Sequence, residues 1–262
     1  MADAFSSISS QLALTNMTLK GLRSRLTMLP KVLDIALRSL RTGVYVKPAK
    51  FLKFDADFER LLATGDPNRG ATVTQDESYT IYSSVLATSR LPGSIAELGV
   101  YQGSTARLIA EAKGDKKLFL LDTFSGMPND KISRNKDDWE VNTHRDTSLA
   151  HVKNYLSRYS GVIYIDGTFP ESINGQAANP LIREETFCLV NLDVDLYQST
   201  LDGLNFFFPR LVKGGRLISH NYNQKASPGG RTPGVKEAFN RYFRDKEHKI
   251  IEIAETQCMV IK

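Results

Sequence analysis

The sequence predicts an α/β protein on a doubly wound, mostly parallel sheet, closed by an antiparallel hairpin and preceded by a helical extension. Three observations carry this. From residue 94 onward, short apolar runs alternate with segments of helical period, a pattern that calls for parallel strands joined by right-handed crossovers. Several of those runs end in acids and glycines, the kind of residue an open sheet uses at its ligand-binding carboxyl edge. The last two runs, 250–254 and 259–261, are separated only by Glu255-Thr-Gln-Cys258, a hairpin signal that puts an antiparallel strand at or near one edge.

The elements follow in order. Residues 5–45 carry Leu12, Leu19, Leu22, Leu26, Leu29, Leu33, Leu37 and Leu40 at helical spacing, interrupted by Pro30. They read as two short amphipathic helices whose default role is packing, on the core or on a partner subunit. Gly65-Asp-Pro67-Asn-Arg-Gly70 is a turn, residues 79–90 a helix, and Leu91-Pro92-Gly93 its stop. Strands are predicted at 94–100, 118–124, 162–165, 185–194 and 215–219. Helices are predicted at 103–113, 146–159, 200–212 and 233–246. This divides the chain into an N-terminal helical extension, 1–78, and an α/β domain, 79–262. A sheet ending in a hairpin resembles that of S-adenosylmethionine (SAM)-dependent methyltransferases.

Bulk properties exclude several classes. The chain has 262 residues, 41% hydrophobic and 24% charged, ordinary for a globular protein. No stretch approaches the ~20 apolar residues of a membrane span. Residues 1–18 lack a basic start followed by an unbroken apolar core, so no secretory leader is expected. The net charge is +5, but the basic residues are scattered and no stripe is interleaved with aromatics, which argues against nucleic acid. Cys188 and Cys258 sit in apolar runs and read as packing residues of a cytoplasmic protein.

The strand ends supply the candidate site. After the first strand comes Glu97-Leu-Gly99-Val-Tyr101-Gln-Gly103-Ser104. Its glycines let the backbone turn tightly and approach a ligand. It is not the Gly-x-Gly-x-x-Gly of hydride-transfer enzymes, which seats a pyrophosphate on a helix N-terminus; an acid here suits SAM, which carries a sulfonium and an ammonium instead. Asp122, beside Thr123 at the end of the second strand, is placed for ribose hydroxyls or caps the following turn. Asp166, before Gly167 at the end of the third, is placed for an adenine amino group or makes an ordinary Asp-Gly turn. Asp193 and Asp195, two residues apart on the fourth strand, should face the same way, and like charges so placed imply metal binding, general-base work or both.

These residues resemble the macrocin O-methyltransferase family, which methylates sugar hydroxyls of macrolides and related natural products. The resemblance spans residues 79–222, with weaker agreement beyond. It rests on Glu97–Gly103, Leu121-Asp-Thr-Phe-Ser-Gly-Met-Pro128, Gly167-Thr-Phe-Pro-Glu171, Leu192-Asp-Val-Asp-Leu-Tyr-Gln-Ser-Thr200 and Pro209-Arg-Leu-Val-Lys-Gly-Gly215. It implies a Rossmann-like methyltransferase sheet and a cytoplasmic homodimer or higher homo-oligomer. The cofactor would be SAM, held by Glu97, Gly99, Tyr101, Gly103, Ser104, Asp122, Thr123, Asp166, Gly167 and Asp193. It also implies a divalent metal such as magnesium on Asp193, and Asp195 as general base.

One block departs from the family. Where the family has two metal-binding aspartates before a tyrosine, this chain has His220 and Asn221 before Tyr222. One carboxylate of three remains, so magnesium should be held much more weakly. His220 suits zinc, manganese, iron or nickel; alternatively no metal binds, and His220 is a second base or a satisfied polar residue. Without a metal the acceptor would be more acidic, such as a phenol or enol, or an amine; or His220 would serve as a second base, or the protein would bind SAM or substrate without turnover. The polar run 127–147 with Trp139 is expected to form a lid, and Pro228-Gly-Gly-Arg231 a second rim loop.

Overall fold

A computed structural model describes residues 55–65, 73–140, 143–174, 181–223 and 233–262. The expected helices at 5–45, the centre of the 65–70 turn and the rim loop 228–231 lie outside them. The described residues form a seven-stranded sheet of order β3-β2-β1-β4-β5-β7-β6, comprising β1 (Ser94–Leu98), β2 (Leu118–Asp122), β3 (Val162–Asp166), β4 (Phe187–Leu192), β5 (Leu211–Ser219), β6 (Ile251–Glu252) and β7 (Cys258–Ile261). The first five are mutually parallel. β7 runs antiparallel to both β5 and β6, so the hairpin closes one edge as the sequence implied.

Why these runs become strands is visible in β1 and β2. Phe119 and Leu121 join the core on one face, with Ala96, Leu98, Leu204, Phe207 and Phe239. Leu118 and Leu120 join the other, with Ile95, Ile81, Ile109 and Val152. A strand apolar on both faces is what a sheet covered by helices on both sides requires. One cover comprises α2 (Gln75–Ala87), α3 (Ser104–Ala112) and α4 (Leu149–Tyr155); the other contains α7 (Tyr197–Arg210) and α8 (Pro233–Phe243). Both cysteines are buried and unpaired, as expected.

Several boundaries shift for identifiable reasons. The helix expected from residue 79 begins at Gln75, because Thr74 and Glu77 form a capping box: the Thr74 hydroxyl accepts from the Glu77 amide and the Glu77 carboxylate accepts from the Thr74 amide. Helix α4 begins at Leu149 and not at 146, since Ser148 is its N-cap. Three short helices were not anticipated: α1 (Ala56–Ala63), α5 (Glu171–Asn174) and α6 (Leu181–Glu184). The compact unit holding the sheet spans Asp55–Lys262. Within it, buried Arg107 of α3 donates to the Leu61 carbonyl and the Thr64 hydroxyl, fastening α1 to the sheet's helical cover.

Candidate active site

Strand order reverses between β1 and β4, and an open sheet leaves a crevice beyond the carboxyl ends at that point. A cavity of about 340 Å³ lies there, within the range that takes a cofactor or a small ligand. Gly99 (φ +90°) fits the seam: a Cβ there would fall 1.8 Å from the Asp193 carbonyl oxygen, and the two strand ends are tied by Asp193 N–H donating to Leu98 O at 2.8 Å.

Gly99, Tyr101, Ser104, Asp122, Thr123, Gly167, Asp193, Asp195, His220 and Asn221, all anticipated, line this cavity. Asp122 organises the glycine loop. Its Oδ2 accepts from the amides of Val100 (2.6 Å) and Tyr101 (3.0 Å), and its Oδ1 from that of Phe124 (2.7 Å). Tyr101 donates its hydroxyl to Asp146, and burial together with that carboxylate pushes the phenol up to about 12. It therefore acts as a neutral donor.

Three expected cofactor residues stand elsewhere. Glu97 is 0% exposed, on the face of β1 that looks toward α3. Its Oε1 accepts from Asn191 Nδ2 at 2.8 Å, and burial pushes its pKa up to about 8. Gly103 is the left-handed N-cap of α3, packed near the Val152 side chain. Asp166 is exposed and borders a neighbouring groove with Thr123, Ser125 and Gly167.

The acidic pair is close, but not because of strand alternation. Strand β4 ends at Leu192, and Asp195 is turned inward by a left-handed backbone (φ +60°). Asn221 donates to Asp195 Oδ1 at 2.5 Å, and His144 Nε2 lies 3.9 Å from Asp195 Oδ2. Burial, and then the Asp193 charge, raise the Asp195 pKa above the ordinary carboxylate value; His220, Asn221 and His144 oppose the shift.

His220 is 8% exposed. Its Nδ1 lies 3.2 Å from Asp193 Oδ1 and its Nε2 lies 3.4 Å from Glu77 Oε2. Burial opposes charge on the ring, but the two carboxylates overrule it and hold its pKa well above the usual value. Burial likewise opposes ionisation of Glu77, yet His220, Thr256 and the Thr74 amide draw its pKa down to about 2. Glu77 was not anticipated. The signal for its helix cap, Thr74-x-x-Glu77, was legible; its reach to His220 was not.

The expected lid contributes Met127, Pro128, Trp139 and His144 to the cavity wall. Its anchor is Asp137, which accepts from the Ser133 amide and from the Tyr197 amide at the start of α7, each at 2.8 Å. His144 packs between Tyr101 and Trp139, with ring centroids 4.8 and 5.5 Å away. The Trp139 Nε1 is shielded from solvent and has no hydrogen-bond partner among the described residues.

Comparison with known proteins bears on this arrangement. Residues 14–256 match the profile of the family described as macrocin-O-methyltransferase (TylF). The 8-demethyl-8-(2,3-dimethoxy-alpha-L-rhamnosyl)-tetracenomycin-C 4'-O-methyltransferase of Streptomyces olivaceus is 30% identical over 146 residues, 50% of this chain and 54% of that protein. The mycinamicin III 3''-O-methyltransferase of Micromonospora griseorubida is 30% identical over 181 residues, 63% of this chain and 65% of that protein. The chain thus aligns with less than two thirds of either relative. Two solved structures share the fold. The O-methyltransferase NovP has a TM-score of 0.58 at 21% identity, covering 89% of this chain and 98% of its own. CalS11, a calicheamicin methyltransferase, has a TM-score of 0.57 at 16% identity, covering 95% of each chain.

Proposed function

Since the chain belongs to the macrocin-O-methyltransferase family, we propose that it transfers the methyl group of SAM to a hydroxyl of a glycosylated natural product, with Asp195 as general base. The observation that carries this reading is the placement of Asp195 in the same cavity as the glycine loop. A raised carboxylate pKa there makes it a better proton acceptor than an ordinary surface acid.

The cavity suits a cationic cofactor. Asp122, Asp193 and Asp195 all line it, and Gly99 leaves room for close backbone approach. SAM supplies, when bound, an electrophilic methyl on a sulfonium. The chain's own residues do the rest. Asp195 takes the hydroxyl proton as the acceptor's O–C bond forms and the S–C bond breaks, leaving S-adenosylhomocysteine. Asn221 fixes Asp195 Oδ1, which leaves Oδ2 toward His144 and the cavity. Trp139 lines the cavity and offers an apolar surface to a sugar ring. Holding the two reactants in line supplies much of the remaining acceleration.

That the acceptor is a sugar-bearing natural product is supported by a relative named for 4'-O-methylation of a rhamnosyl-tetracenomycin. A cytoplasmic homo-oligomer is part of the same reading. It is supported by two unpaired buried thiols and by the apolar stripe of residues 5–45; gel filtration tests it.

The deciding experiment is calorimetry with SAM, followed by labelled-methyl transfer to a panel of deoxysugar glycosides. Wild type should bind SAM and methylate at least one glycoside. Asp195→Asn should keep SAM binding and lose turnover by about a hundredfold or more, as for a general base. Folded protein that gives no heat at millimolar SAM, or an Asp195→Asn enzyme as fast as wild type, would refute the reading.

A further inference from the structure

We propose that His144 is a second catalytic residue: its Nε2–H donates to the oxygen that is methylated, while Asp195 Oδ2 takes that oxygen's proton. The inference rests on the proposed methyl transfer and adds a hydrogen-bond donor to it. His144 Nε2 and Asp195 Oδ2 stand 3.9 Å apart, too far for a hydrogen bond between them. Two partners of one hydroxyl oxygen, each at about 2.8 Å, stand roughly 4 to 4.5 Å apart. The gap therefore has the size of one oxygen atom, and both side chains line the cavity. Asn221 holds the other carboxylate oxygen of Asp195, which leaves Oδ2 for this gap.

A hydroxyl oxygen has four directions: its carbon, its hydrogen and two electron pairs. Asp195 accepts the hydrogen, one pair attacks the methyl carbon, and the second pair accepts from His144. As the O–C bond forms, the proton ends on Asp195 and the S–C electron pair on sulfur; His144 keeps its hydrogen throughout. A donor fixed in advance stabilises the negative charge that develops on the oxygen. The arrangement also selects the acceptor atom. A neutral amine nitrogen has one pair, which the methyl requires, so it would leave the His144 N–H unmatched. Donation needs no particular charge on the ring: a neutral imidazole with its hydrogen on Nε2 serves, and so does the charged form.

The backbone holds the ring in place. Among the described residues, six non-glycine residues have a left-handed backbone, and four of them, Tyr101, His144 (φ +62°), Asp195 and Asn221, line this cavity. Strain of this kind persists where the surroundings enforce it, and it clusters at active sites. The segment around His144 is pinned on both sides. The Thr143 carbonyl accepts from the Met127 amide at 2.9 Å, the Thr147 hydroxyl donates to the Tyr101 carbonyl at 2.6 Å, and the Asp146 carboxylate accepts from the Tyr101 hydroxyl at 2.8 Å. The glycine loop thus sets the position of His144 as well.

Asp193, Asp195 and His220 each offer a ligand atom within 4.8 Å of the others, a spacing that an ion could bridge, and an ion there would supply a Lewis acid. His144 stands outside that set. Turnover is therefore measured with EDTA and with MnCl2, and variants are compared in whichever supports the faster wild type. The full chain is used, with SAM and the glycoside that wild type methylates fastest. His144→Phe keeps a ring between Tyr101 and Trp139 but has no N–H. His144→Gln keeps an N–H and cannot take up a proton. His144→Phe should lose about a hundredfold in kcat, the usual effect of removing one such donor, with SAM affinity by calorimetry unchanged to within about threefold. His144→Gln should be at least about tenfold faster than His144→Phe. A His144→Phe enzyme within about threefold of wild-type kcat would overturn the inference. So would a His144→Gln enzyme no faster than His144→Phe, which would mark a proton-accepting or packing role. Asp195→Asn, run alongside, separates the two readings: if it matches wild type the proposed function fails, whereas its loss beside an unimpaired His144→Phe sinks this inference alone. Should no glycoside turn over, or His144→Phe not fold, nitrogen-15 NMR of the wild type at about pH 8 decides. A hydrogen on His144 Nε2 supports the donor, and a bare Nε2 overturns it.

Discussion

Glu77→Gln tests the Glu77–His220 ion pair through stability. The glutamine keeps the shape and can still accept from the Thr256 amide, but it removes the charge facing His220. Folding lowers the Glu77 pKa from 4.5 to about 2, and at about 1.4 kcal/mol per unit this is worth roughly 3 kcal/mol at neutral pH. Breaking one side of a buried ion pair ordinarily costs about 3–5 kcal/mol, which brackets the same figure. Because the folded pKa is depressed, the contribution is complete above 4.5 and disappears as pH falls toward 2. By linkage, about 1 kcal/mol should be gone near pH 4 and about 2 kcal/mol near pH 3. The His220 share has the opposite sign: its raised pKa stabilises below the ordinary value and is lost as pH climbs through the elevated one. Urea denaturation of wild type and variant across pH 3–9 reads the gap between them. It should be widest around neutrality and narrow on the acid side. A gap below about 0.5 kcal/mol at pH 7, or one that stays constant down to pH 3, would show that Glu77 is not ionised against His220.

Two further predictions probe the seam and the lid. In Gly99→Ala the new Cβ would lie 1.8 Å from the Asp193 carbonyl oxygen in a left-handed backbone, so β1 and β4 must separate; a loss of about 3 kcal/mol or more, with SAM affinity, is expected, and a wild-type melting temperature would contradict the seam. Asp137→Ala removes the acceptor for both the Ser133 and Tyr197 amides; about 1–2 kcal/mol should be lost, and fluorescence of Trp139, the sole tryptophan, should become more quenchable unless the lid is held by something else. The pH profile of turnover gives a third. Activity should rise with pH through a midpoint well above the ordinary 3.8 of an aspartate, since burial and then Asp193 favour the protonated form of Asp195; Asp193→Asn should shift that midpoint down, and an unmoved profile would remove Asp195 as the base.

The sheet was legible in the sequence because strands buried on both faces leave continuous apolar runs, and β1, β2 and β4 are fully or almost fully buried along their length. Short helices such as α5 and α6 have four residues each, too few for a helical period to register. The site divides in the same way. Asp122, Asp193 and Asp195 stand out at the ends of apolar runs, where an acid is conspicuous. Glu97 stood out equally, but the sequence could not say that its side chain is buried and accepts from Asn191. His144 gave no signal within a polar run; only the fold brings it to Asp195.

Glu77 shows best why the rest was hidden. Read locally, it is a helix cap with a partner three residues away, and that reading is correct as far as it goes. Its second oxygen and its charge are committed across the fold, to Thr256 in the β6–β7 turn and to His220 after β5. The replacement of carboxylates by His220 and Asn221 was visible from the start and suggested a weakened or exchanged metal. What a histidine means at that position depends on what faces each of its nitrogens. With one nitrogen free it would be a ligand. Here Glu77 and Asp193 stand on either side of the ring, a pairing across the fold that the residue type alone does not reveal.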